Sequence, residues 1–131
     1  MRELPFFVYG TLRPGEYNHD RFLLGRTAGE EPARLAGALL HDGPGYPYAV
    51  PGEGLIAGDL VTAAPGAYGE LLAELDQVEG GAGYERVERA VVRLRDGAAV
   101  RAWVYFAAPG TPYGPLIKGG DWRVRGGPRT P

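Results

Sequence analysis

VERAVVRLRDGAAVRAWVYFA, Val87 to Ala107, is two apolar, β-branched runs around an Asp-Gly pair. Val87 to Arg95 and Ala99 to Ala107 read as strands. Asp96-Gly97 between them is a strong two-residue hairpin signal. Arginines recur from Arg86 to Arg101 but alternate with apolar residues, which is the pattern of a solvated strand face. Working upstream, Gly80-Gly81 closes a helical stretch that starts at Pro65, a residue suited to a first helical turn, and runs through Val78 or Glu79. Leu55 to Thr62 reads as another strand. Tyr46 to Gly54, YPYAVPGEG, is too rich in proline for a central strand and reads as an ordered loop. Arg34 to Leu40 reads as a strand ended by the turn cluster His41 to Gly45. Asn18 suits the cap of a short helix, His19 to Leu24, closed by Gly25. Leu4 to Tyr9 is apolar on both faces and so reads as a central strand.

The order is therefore β, α, β, β, α, β, β. This is an α+β chain with enough strands to curl into a small mixed β-barrel flanked by short helices. The 131 residues fit a single domain, with a loop-rich tail from about residue 109 in which Trp122 packs the chain down. The 22 glycines and 12 prolines punctuate apolar runs and do not replace them, so the chain reads as turn-rich and folded.

Composition narrows the chemistry. With 14 basic and 16 acidic residues there is no electrostatic case for nucleic acid. The absence of cysteine removes disulfides, thiol nucleophiles and thiolate metal sites, and two histidines, His19 and His41, make a multi-histidine site improbable. No apolar run approaches a membrane-spanning length, and the first residues lack a signal-peptide pattern. A cytoplasmic protein is the expectation, and a monomer, since no second amphipathic face asks for a partner. GTLRPG lacks the residues of a phosphate-binding P-loop and the spacing of a dinucleotide site. Nothing supports a Ser/His/Asp triad.

One side chain in the Pro65–Glu79 helix breaks its pattern. Tyr68, Leu71, Leu72, Leu75 and Val78 form an apolar stripe, with Glu70, Glu74 and Gln77 on the other side. At about 100° per residue, Glu79 falls inside the apolar arc, one turn beyond Leu75. Burial and the negative end of the helix dipole both raise a carboxyl pKa, as a general acid/base requires. The alternative is a frayed helix end with Glu79 in solvent.

VYGTLRPG near the start, Asn18-His19 after it, LDQVEGGAGYERV in mid-chain and AWVYF beyond it together resemble the γ-glutamylcyclotransferase-like family, which includes AIG2-like and γ-glutamylamine cyclotransferase proteins. The resemblance runs from Phe6 to about Tyr105, with GGDWR near the end. It implies a small mixed barrel and a reaction without cofactor or metal. The α-amine of a small-molecule γ-glutamyl substrate attacks its own γ-carbonyl, closing 5-oxoproline and releasing an amine or amino acid. It also implies that Glu79 is the catalytic acid/base and that Tyr9, Gly10, Thr11 and Leu12 form the substrate loop. In that loop Gly10 would let the backbone approach a ligand, and successive N–H groups would form an anion nest. Arg13 either pairs with a substrate carboxylate or is a surface residue. Tyr84 and Tyr105 either line the pocket, with a hydroxyl bonded to Glu79, or are core residues. Asp76 reads as a local hydrogen-bonding residue. Tyr46 to Gly54 and the tail after Pro109 are expected to shape the leaving-group side. A non-catalytic binding module on the same fold is the alternative, and the sequence does not separate general γ-glutamyl turnover from removal of a γ-glutamyl protecting group. AGDLV in the third strand departs from the family's usual Gly-Glu-Leu-Tyr.

Overall fold

The computed structural model describes residues 3–124. Five strands, β1 (Phe6–Val8), β2 (Thr27–His41), β3 (Tyr48–Ala63), β4 (Tyr84–Arg93) and β5 (Ala99–Ala107), close into a barrel in the order β1-β3-β2-β4-β5. β1 is short and central, antiparallel to β3 and parallel to β5. β2 and β3 form a long hairpin, β4 and β5 a second. The two hairpins meet where Ala33 and Arg34 pair with Arg93 and Val92. β5 beside β1 completes the ring, and Ala49 next to Phe106, in parallel, adds a further pairing between β3 and β5.

Period-two alternation sends side chains to two cores. Phe7 and Tyr9 of the first segment, and Ala102, Val104 and Phe106 of β5, point into the barrel with Leu35, Ile56 and Leu60. Phe6 and Val8, with Tyr105, point outward under the helix α1 (Tyr68–Gly81), against Tyr68, Leu71 and Leu75. Both faces of β1 are thus buried, as the apolar run Leu4 to Tyr9 suggests. Trp122, in a 3₁₀ turn (Trp122–Val124), and Ile117 cap the barrel interior, so the tail packs down as expected.

Several element boundaries differ from the sequence reading. Tyr46 to Gly54 is largely strand: Tyr48 to Pro51 pair with His41 to Ala38. Pro51 is accommodated because the register shifts beside it. Gly37 stands unpaired on β2 opposite Gly52-Glu53-Gly54, so the lost N–H falls at an irregularity. Pro65 does not start α1. Ala64-Pro65-Gly66-Ala67 is a β-turn closed by Ala67 N–H to Ala64 O at 3.0 Å, and helix follows. α1 runs through Gly80 and Gly81. It ends where Gly83, with φ of +94°, turns the chain and the N–H groups of Ala82 and Gly83 bond to the carbonyls of Glu79 and Gly80. The β4–β5 connection has five residues, Leu94 to Ala98, and is wider than the two-residue turn that Asp96-Gly97 suggests. Asp96 Oδ1 accepts from Ala98 N–H and its carboxylate is bonded by Arg93, which holds the wider turn. His19–Leu23 is a π-helical turn, and Asn18 makes no side-chain cap.

Candidate active site

Three segments converge at one end of the barrel around a cavity of about 310 Å³, within the range of small-molecule sites. The loop after β1 brings Tyr9, Gly10, Thr11 and Leu12. The last turn of α1 brings Glu79. Tyr46 and Pro47 before β3, Tyr84 at the start of β4 and Tyr105 on β5 form the facing wall. The barrel positions the first and third groups, and packing of Leu71 and Leu75 on it positions the second.

Glu79 follows Leu75 by four residues, so its side chain continues the buried face of α1 and meets the cavity where the hydrophobic stripe would otherwise go. Leu72 is only partly buried and Val78 is exposed at the cavity mouth, so the buried stripe is Tyr68, Leu71 and Leu75. Desolvation pushes the Glu79 carboxyl up to about 7. Among the described residues no hydrogen bond to that carboxyl is formed, which leaves both oxygens free for a ligand.

The surrounding tyrosines have their hydroxyls committed elsewhere. Tyr9 donates to the Tyr105 carbonyl at 2.5 Å and accepts from Ala49 N–H at 3.1 Å, tying β1, β3 and β5 together. Tyr84 donates to the Pro47 carbonyl. Tyr48 donates to the Ala82 carbonyl at 2.5 Å, fixing the end of α1. Tyr105 donates to Asp76 Oδ1 at 2.7 Å, and Arg86 Nε bonds the same oxygen at 2.9 Å. Burial raises the pKa of all four phenols, Tyr48 to about 12, with the Glu79 charge adding to the effect. The wall facing Glu79 is therefore neutral, rigid and poorly solvating for a carboxylate.

The loop turns at Gly10, whose carbonyl accepts from Arg13 N–H at 3.1 Å. A Cβ on Gly10 would lie 2.7 Å from Pro47 Cδ. The space that glycine leaves is thus filled by the proline ring, not left for a ligand. Among the described residues, the N–H groups of Gly10, Thr11 and Leu12 find no acceptor, while all three residues line the cavity. Thr11 anchors the loop from behind: its Oγ1 accepts from Asn18 Nδ2 at 2.8 Å and its carbonyl from the N–H groups of Asn18 and His19.

This arrangement, one desolvated carboxyl opposite a loop of unused N–H groups on a five-stranded barrel, lies inside a region with known relatives. Residues 6–124 match the model of the family described as gamma-glutamyl cyclotransferase, AIG2-like. The chain belongs to this family. A relative from Niallia circulans, gamma-L-glutamyl-butirosin B gamma-glutamyl cyclotransferase, is 37% identical over 73 residues. That match covers 56% of this chain and 44% of the relative, so the likeness spans less than half of that protein. The crystal structure of an AIG2-like protein from Mus musculus superposes with a TM-score of 0.66 at 26% identity, covering 96% of each chain. Protein PH0828 from Pyrococcus horikoshii gives 0.66 at 28% identity, covering 91% of this chain and 89% of that one.

Within this AIG2-like barrel, seven of the eight residues that the sequence singles out line one cavity: Tyr9, Gly10, Thr11, Leu12, Glu79, Tyr84 and Tyr105. Arg13 does not. It is buried, with Nε 2.8 Å from Asp59 Oδ2 and Nη1 3.0 Å from Asp121 Oδ1, so its charge is spent bracing the loop against β3 and the tail. The AGDLV departure supplies that brace, since Asp59 is its carboxylate. Tyr84 and Tyr105 line the cavity without bonding Glu79, because each hydroxyl has a closer fixed acceptor. Tyr46 and Pro47 line it, as expected of their segment, whereas the tail after Pro109 stays outside it. The sequence reading missed Tyr17, Asn18, Arg21 and Phe22 as cavity residues; they reach the cavity from the π-helical turn and the two residues before it. The shared carbonyl of Thr11 that folds this turn against the loop leaves no trace in local periodicity. Among the described residues, no helix is long and apolar enough to cross a membrane.

Proposed function

We propose that the protein is a γ-glutamyl cyclotransferase in which Glu79 carries the protons. Two protons must move from the attacking nitrogen to the leaving nitrogen. The Glu79 carboxylate takes the first from the α-ammonium, and the freed amine attacks the γ-carbonyl carbon. The N–H groups of the Gly10–Leu12 loop hold the oxygen as negative charge develops on it. Protonated Glu79 delivers its proton to the amide nitrogen as the C–N bond breaks, then takes and passes on the second. The products are 5-oxoproline and an ammonium or amino acid, and the carboxylate returns to its starting state. Ring closure is intramolecular, so a pocket that holds the glutamyl chain bent removes much of the remaining barrier.

The observation that carries this reading is the unpartnered Glu79 carboxyl with its pKa near 7. Raising it from 4.5 makes proton transfer from an ammonium less uphill by about 3 kcal/mol. A binding module would gain nothing from a desolvated carboxyl without a partner. The γ-glutamyl compound named for the Niallia circulans relative supports the same reaction class.

The test is 5-oxoproline release from a panel of γ-glutamyl amino acids and amines. Wild type is expected to release it and Glu79→Gln to lose at least a thousandfold. On the wild type, kcat/KM should fall with decreasing pH below about 7, as the base becomes protonated. Near-normal turnover by Glu79→Gln would remove Glu79 from the mechanism.

A further inference from the structure

Two charged side chains line the cavity, Glu79 and Arg21, at different depths. Gly10, Thr11 and Leu12 are buried at its floor, and the Glu79 carboxyl is desolvated with them. Arg21 is exposed, and its neighbours Tyr17, 63% exposed, and Val78, 37% exposed, mark the mouth. Arg21 rests over the Phe22 ring with its guanidinium carbon 5.3 Å from the centroid. Among the described residues it forms no ion pair and donates no hydrogen bond. Arg13, Arg26 and Arg86 lie nearby but outside the cavity lining, each paired with carboxylates: Arg13 with Asp59 and Asp121, Arg26 with Glu74, Arg86 with Asp76.

We propose that Arg21 reads a carboxylate on the leaving group, so that the favoured substrates are γ-glutamyl amino acids and not γ-glutamyl amines. The inference rests on the cyclotransferase reading given above. With the glutamyl unit at Glu79 and the floor loop, the amide nitrogen points its substituent outward. That substituent then leads toward the mouth, where Arg21 is the available cation of the lining. A guanidinium resting on an aromatic ring is held in place yet keeps its N–H edge free, which suits a planar carboxylate. The same charge repels a leaving group that ends in an ammonium.

Two pairs of compounds test this. γ-Glutamyl-alanine and γ-glutamyl-ethylamine differ only in the carboxylate of the leaving group. Wild type is expected to favour the alanine compound about tenfold in kcat/KM, with the preference shrinking as salt is raised. Arg21→Gln should bring the ratio close to one. Glutaryl-alanine and glutaryl-ethylamide lack the α-amine and do not cyclise, so calorimetric binding of this pair reads recognition without turnover. The same preference, and its loss in Arg21→Gln, is expected there. Equal ratios in wild type and variant overturn the inference, as does failure of both glutaryl compounds to bind. An Arg21-dependent binding preference with no 5-oxoproline release from either γ-glutamyl compound upholds Arg21 and removes the cyclotransferase reading instead.

Discussion

Glu79 sets a conflict between stability and chemistry at a single carboxyl. Its pKa is raised in the folded chain, so the folded state holds a proton that the unfolded state releases between about pH 4.5 and 7. Stability therefore falls as pH rises through that window, by about 3 kcal/mol in all. Glu79→Gln removes the titration. Denaturant unfolding of variant and wild type should give similar free energies near pH 4, with the variant more stable by an increasing margin that levels off above pH 7. A difference that did not change with pH would mean that the carboxyl is solvated in the folded chain. Glu79 was legible because a charge interrupts a periodic apolar face. Gly10 was legible as a special position but not for its reason: the ring that needs the space, Pro47, lies 37 residues away. Arg13 was misplaced because its partners, Asp59 and Asp121, are brought to it only by the closed barrel.

The loop after β1 is an element without regular structure that is held by a buried ion pair. Breaking such a pair by removing one partner leaves an uncompensated charge. Asp59→Ala leaves Arg13 with Asp121 alone, whose side chain is 31% exposed, so a loss at the low end of the usual range is expected, about 3 kcal/mol. Arg13→Met combined with Asp59→Leu should recover much of it, since the space is then filled without charge. Thermal unfolding of the two variants beside wild type checks this, and a double variant worse than Asp59→Ala would show that the pair does more than neutralise itself. The strands with strong alternation were legible in sequence, and β5 begins and ends where its pattern says. Tyr48 to Gly54 was not, because its prolines and glycines suit a loop equally well. Its strand character comes from pairing with Ala38 to His41 at the far end of β2, which local chemistry does not reveal. The Pro65-Gly66 pair carries signals for both a helix start and a turn, and the turn prevailed.

At the scale of the molecule, closure of the barrel depends on contacts far apart in sequence. Phe6 pairs with Val61 and with Trp103, and Trp122 enters the core from the tail. Trp122→Ala should cost about 3–5 kcal/mol, measurable by urea titration, because the void opens inside the barrel where neighbours on closed strands have little freedom to collapse. A cost below about 1 kcal/mol would mean that the tail merely covers a finished core. That the chain forms a small mixed barrel could be read from strand count and order. Which strand closes on which could not, because β1 is flanked by β3 and β5, about 50 and 100 residues downstream, and no pattern within Phe6 to Val8 encodes the choice.

The cavity loop is also fastened to the far end of the described chain. Asp121 holds Arg13, and Arg123 bonds the Pro14 carbonyl and, at 3.3 Å, Glu16. During synthesis β1 and its loop leave the ribosome well before their partners on β5 and at Asp121 and Arg123. The nascent chain thus carries its cavity loop without these fastenings until β5 and the residues after it emerge. On the proposed cyclotransferase reading, no fragment that ends before β5 should bind a γ-glutamyl compound.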